Sequence, residues 1–166
     1  MTWRTRSLLS PFVVFALLFA LYSAILLGAY RSGYYEYHDL ALISGFFQNG
    51  IHRGLPFWVS ETQINHFSVH FTPTLLLLFP FYWLHDSSAT FLVLTSAALA
   101  WAGAVLWVWM RGLQKSGWKK PALIALWLAF VTSNIWKSGL MSVHYEIFHI
   151  PFSLLCLYWY SEGHRL

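Results

Sequence analysis

Ser7 to Tyr30 contains no Asp, Glu, Lys or Arg. As a helix, a run of that length crosses a hydrocarbon core of about 30 Å. Pro11 falls in its first turns, where a missing N–H costs least. A cleaved leader fits poorly, because its apolar region normally runs about 7–15 residues and no small-x-small cleavage site follows. The rest of the chain has the same character: 58% hydrophobic, 20% aromatic and only 10% charged. Soluble domains carry about 25% charged residues. Disorder is excluded by the hydrophobicity, and too few polar groups are present to cover a water-facing surface. The single cysteine, Cys156, excludes an intramolecular disulfide framework and a multi-Cys zinc site. Lying in an apolar run, it reads as a small filler and not as a nucleophile.

Three further apolar runs follow, at 87–110, 121–137 and 147–161, and are expected to span with 7–30. Lys137 can snorkel from the end of the third. Residues 73–84 are apolar but short, with Pro73 at the start and Pro80 inside, as in an interfacial or re-entrant segment. Basic residues decide between the two topologies. If 73–84 does not span and the N-terminus is cytoplasmic, the inside holds Arg4, Arg6, Arg111, Lys115, Lys119, Lys120 and Arg165, seven of the ten Lys and Arg. If it spans, the inside keeps only Arg4, Arg6 and Lys137. The positive-inside rule selects the first arrangement. The net charge of +4 is then largely a cytoplasmic address, and nucleic-acid binding has no support beyond the short loop 111–120.

That topology puts most acids and histidines outside, chiefly in a loop from 31 to 86. Tyr34, Tyr35 and Tyr37 form an aromatic belt after the first span. Leu40, Ile43 and Phe47 share one helical face, so a surface helix is expected over 40–49, with Asp39 as N-cap and Gly50 as the residue after its end. Beside His38, Asp39 could also act as a general base. Ile64 to Phe71 alternates in a strand-like way that would place His66 and His70 on one face. His-x-x-x-His also suits a metal on a helix, but no third ligand is defined, and no metal site is assigned. Thr72-Pro73 reads as N-cap and first residue of the second surface helix, 73–84. His144, Glu146 and His149 fall between the third and fourth runs, either in the headgroup zone or facing a cavity.

Three patches in order resemble the predicted membrane proteins of the domain-of-unknown-function-2079 family. They are His38-Asp39-Leu40 followed by Gly54-x-Pro56-Phe57, His70-Phe71-x-Pro73 followed by Pro80-Phe81-Tyr82, and His144-x-Glu146 with Pro151 five residues after the acid. Tyr145 stands where the third patch of that family has proline. In layout the family is similar to lipid-dependent glycosyltransferases of the type-C membrane fold. The apolar runs give an all-α polytopic membrane protein of about four spans plus outer surface helices; enzymes of the fold it resembles have many more spans, so the chain is expected to be the N-terminal part of a larger bundle, or a truncated product. The resemblance implies Asp39 as catalytic base and His70 and His144 as partners for phosphate, metal or acceptor.

One function expected on that basis is transfer of a sugar from a polyprenyl-phosphate donor on the outer face of the cell (inner) membrane. The leaving phosphate needs positive charge or a divalent cation. His38, Arg53, His66, His70, His144 and Glu146 are the candidate binding residues, and magnesium or manganese would favour the carboxylates of Asp39 and Glu146. Two alternatives stay open. A transporter or channel component would use broken helices and intramembrane charge. A non-catalytic membrane assembly partner would use close-packing faces such as Ala97, Ala98, Ala100, Ala102, Gly103 and Ala104, although internal packing explains that face more simply.

Overall fold

The computed structural model describes residues 10–33, 37–60, 62–68, 73–140 and 145–163, the side chains of 37–39, 134–140 and 145–146 excepted. The aromatic belt at Tyr34, Tyr35 and Tyr37 and the Thr72 cap lie outside what is described.

Helix α1 (Pro11–Arg31) opens with Pro11 in its first turn, and the Ser10 side chain accepts the Val13 N–H at 3.3 Å. This satisfies one of the free donors at a helix start. Its buried residues, Val14, Leu18, Tyr22 and Leu26, recur every four positions and form a single stripe. The opposite side exposes Phe12, Val13, Leu17 and Leu21.

Helix α4 (Ser88–Lys115) is the hub, capped by Ser87 through the Ala89 N–H. Its small residues are used inside the molecule: Ala98, Ala100, Ala102, Gly103 and Ala104 are all buried. A Cβ at Gly103 would lie 2.4 Å from Leu18 Cδ1, so the missing side chain is what lets α1 approach. Helix α5 (Lys120–Leu140) packs on the same turn, where the Trp127 indole donates to the Gly103 carbonyl at 3.0 Å. Tyr22 of α1 donates to the Val131 carbonyl of α5 at 3.3 Å. Helix α6 (Ile150–Ser161) covers another side of α4, with Phe152 edge-on to Trp101. The start of α1 lies beside Val108, and Leu18 meets Gly103, so α1 and α4 run antiparallel.

Helices α2 (Tyr37–Arg53) and α3 (Thr74–Leu84), with a small hairpin between them, form a layer on the end of the bundle where α4 begins. Phe47 organises it. Its ring lies 5.0 to 5.5 Å from those of Phe91, Tyr82, Phe57 and Phe79, and it is completely buried. Burying one such side chain contributes about 2–3 kcal/mol.

Several expected boundaries are corrected. The first surface helix is not 40–49: it begins before Asp39, which lies in the first turn and is not the N-cap, and continues to Arg53. Gly50 lies inside it, where a Cβ would come within 3.0 Å of the Phe79 ring and 3.1 Å of Pro56 Cα. Its role is close packing, and Gly54, with φ of +65°, is the glycine that ends the helix. Of the strand expected over 64–71, Ile64–Asn65 forms one side of a two-residue ladder, paired antiparallel with Trp58–Val59, and 69–71 lie outside the described residues. His66–Ser68 is already a 3-10 turn, held as the Asn65 side chain accepts the Phe67 N–H. Pro73 is the N-cap of α3 and not its first residue. Helix α4 absorbs Arg111 and Lys115, so the loop of 111–120 becomes a turn at 116–119, with Gly117 at φ of +97°.

Among the described residues two helices, α1 and α4, are long and apolar enough to cross a membrane, with mean hydropathy of 2.5 and 2.0 over their most apolar stretches. The described apolar parts Lys120–Ser133 and Ile147–Ser161 are shorter, and α6 itself has only 12 residues.

Candidate functional site

Two groups of described polar side chains tie the α2–α3 layer to the rest of the bundle. The first is built on a face of α2. Ser44, Gln48 and His52 recur every four residues and so line one side of the helix. Ser44 and Ser88 are hydrogen-bonded through their hydroxyls at 2.9 Å, which ties α2 to the first turn of α4. His52 Nε2 donates to Asp86 Oδ2, tying the far end of α2 to the link between α3 and α4. This contact, first of all, holds the Asp86 carboxyl below the usual 3.8; weaker help comes from Tyr82 and Gln48.

Beneath that pair lies Tyr82, whose hydroxyl is buried with no hydrogen-bond partner of good geometry. Asp86, Gln48 and Ser44 are still near enough to act on it. Burial, then the Asp86 carboxylate, push its phenol up to about 12. An ionised carboxylate, an imidazole it orients and a buried phenol that stays protonated can exchange a proton with a bound ligand. The sequence carries a signal for this cluster, the polar stripe 44–48–52 that flanks the apolar one. The apolar stripe alone does not reveal Ser44, Gln48, His52, Tyr82 and Asp86 as a site.

The second group is at the start of α3. Thr74 Oγ1 lies 3.2 Å from His149 Nε2, linking α3 to the 3-10 turn Tyr145–His149 that leads into α6. Thr74 is buried, so the contact replaces water for its hydroxyl.

The sequence candidates distribute as follows. Arg53 is exposed at the end of α2, next in the chain to His52. Asp39 and His38 sit in the first turn of the same helix, with side chains outside the described residues. Fourteen positions of helical rise put Asp39 about 20 Å from Arg53 along the axis, so they are not brought together. His66 is packed inside the layer, its ring 4.6 Å from that of Phe46 and only 5% exposed. The strand that would have given it a common face with His70 is replaced at His66–Ser68 by a 3-10 turn. His70 and His144 lie outside the described residues, as does the side chain of Glu146, whose backbone belongs to the turn before α6. Among the described residues, no three His, Cys, Asp or Glu side chains gather as a metal site would require.

Beside this geometry stands one match to a known family. The profile of the predicted membrane protein family DUF2079 matches residues 38–165, and the chain belongs to that family. Neither a curated protein nor a solved structure matches it significantly. The comparisons give no support to a type-C glycosyltransferase fold.

Proposed function

We propose that this membrane protein transfers a sugar from a polyprenyl-phosphate donor at the outer surface of the cell membrane, with its N-terminus in the cytoplasm. Asp39 is the general base. It takes the proton of an acceptor hydroxyl as that oxygen bonds to the anomeric carbon, and the bond from that carbon to the phosphate oxygen breaks, its electron pair leaving with the phosphate. His70, His144 and Glu146 bind the phosphate or a divalent cation on it, while His38, Arg53 and His66 remain secondary candidates.

The observation that carries this reading is the Thr74–His149 contact. His70 precedes Thr74 by four residues and Glu146 precedes His149 by three. Four residues span at most about 14 Å, so the chain limits how far His70 and Glu146 can stand from this contact, which supports grouping them. The membrane-length helices α1 and α4 below that layer agree with a lipid-borne substrate. The test is transfer of labelled sugar from polyprenyl-phosphate donors by the protein in lipid nanodiscs. Asp39→Asn should lower transfer by about 10²–10⁴-fold with insertion unchanged; undiminished transfer would remove Asp39 from the mechanism.

The exposed side of α1, with Phe12 86% exposed, favours a second reading as a non-catalytic partner of other membrane helices. Normal cellular function after joint replacement of Asp39, His70 and His144 by Ala would select it.

A further inference from the structure

The first half of α1, the second half of α4 and α6 enclose an apolar groove of about 410 Å³, away from the layer that carries the candidate site. Phe12 and Phe15 form one wall, Trp101, Val105 and Val108 the floor, and Leu155 the other wall. Along α4 it runs from Trp101 to Val108, about 10 Å of helical rise. A helix 10–12 Å across displaces roughly 500 Å³ per turn, so the groove is too small for one. Its almost wholly apolar lining suits a hydrocarbon chain.

One end of the groove is charged. Val108, Arg111 and Lys115 continue the stripe that begins with Trp101, at spacings of three and four. Arg111 and Lys115 are exposed, and Lys119 and Lys120 follow in the turn and the start of α5. The acid described at this end is Glu162, whose Oε1 would stand 3.1 Å from a Cβ at Gly112. It forms no ion pair with Arg111 or Lys115. Four cations against one anion leave this rim positive. The first turn of α1 also opens here, with Pro11 on the groove and backbone N–H groups that favour an anion.

We propose that this groove binds one acyl chain of an anionic glycerolipid, its phosphate held by Arg111 and Lys115 one to two turns beyond Val108. The occupant is a lipid of the leaflet that meets the basic end, separate from any donor at the opposite end. Apolar walls hold the chain by excluding it from competing surfaces, and the basic rim selects the headgroup. The proposal requires membrane insertion but not glycosyl transfer, so either can fail alone.

The test reconstitutes the full chain in phosphatidylcholine vesicles with a trace of phosphatidylglycerol or phosphatidylcholine carrying a photoreactive acyl chain, and maps the labelled peptides. Labelling of the segments around Val105, Val108 and Leu155 is expected, with phosphatidylglycerol preferred. Each of Arg111→Gln and Lys115→Gln should reduce that preference about fivefold while leaving phosphatidylcholine labelling unchanged. Val108→Trp should fill the groove and reduce labelling by both lipids, with helicity by circular dichroism confirming that the variant folds. Equal labelling by the two lipids overturns the headgroup assignment. Labelling unmoved by Val108→Trp, or cross-links from these residues to a second copy of the chain, overturns the groove assignment.

Discussion

A buried phenol without a well-formed hydrogen bond costs the folded state free energy, because its hydration is only partly replaced. Tyr82 is in that position. Tyr82→Phe keeps the ring stack on Phe91 and Phe47 and removes only the oxygen. Stability measured by thermal unfolding in detergent should stay the same or rise by up to about 1 kcal/mol. If activity falls in a variant that is equally stable, the hydroxyl serves a ligand. Its titration has a definite sign. The folded-state value of about 12 lies above the usual 10.0, so stability is fully present below pH 10 and declines as pH rises towards 12. Tyrosinate absorbance should show a late-titrating component that Tyr82→Phe deletes. Asp86 behaves oppositely, since contact with His52 lowers its value from 3.8. Its contribution is present above pH 3.8 and is lost as the pH falls further. The carboxylate is a third exposed, so solvent keeps the effect small. Asp86→Asn should flatten the acid limb of the stability curve; an unchanged limb would mean that the His52 contact contributes nothing in solution.

Two glycines set how the elements meet. At Gly50, an added Cβ presses on the Pro56 backbone, which cannot move aside as a side-chain tip would. Gly50→Ala should destabilise the α2–α3 layer by about 1–3 kcal/mol, read as a lower unfolding temperature. Gly103→Ala meets only the end of the Leu18 side chain, which can turn, so its cost should be smaller. A larger loss at Gly103 than at Gly50 would refute this ordering. The same glycines show what was legible beforehand. Uncharged apolar runs locate α1, α3 and α4, and apolar periodicity locates α2. The ends were harder. Gly50 has the composition of a helix terminus, and only the tertiary approach of Phe79 and Pro56 explains a glycine within the helix. The alternation over 64–71 suggested a strand, but Asn65 draws the Phe67 N–H into a turn and Phe57 holds the His66 N–H. Phe57 itself adopts φ of +60°, a conformation that few aromatic residues tolerate. Its packing against Phe47 and Phe67 supports that strain. No local pattern announces such a position. Of the site, single acids and histidines could be picked out, whereas the partnership of His52 with Asp86 joins residues 34 apart and is visible only after folding.

At the scale of the molecule, the two membrane-length helices differ in what they need. The most apolar part of α4 is 67% buried by its neighbours, whereas that of α1 is 22% buried and leaves its apolar side exposed. Lipid or other apolar helices must cover it. The mutual direction of α1 and α4 bears on topology. If α3 crossed the bilayer between them, they would cross in the same sense; they pack antiparallel. This favours an α3 that lies along the surface, as the distribution of basic residues also does. Its 11 residues rise only about 16 Å. Leu76, Leu77, Phe81, Trp83 and Leu84 are exposed and would face lipid. The expected arrangement carries α1 outward from the cytoplasm and α4 back. With Cys156→Ser as background, Ser32→Cys should react with an impermeant thiol reagent added to intact cells, and Ser116→Cys should react only after the membrane is opened. A spin label on Leu77→Cys should lie at shallow depth in the outer leaflet. A spanning α3 would expose Ser116→Cys to the outside reagent and move the label on Leu77→Cys towards the bilayer centre. Either result would invert every later loop, place the basic turn 116–119 outside and set His52 against Asp86, and Thr74 against His149, across the bilayer, which their contacts forbid.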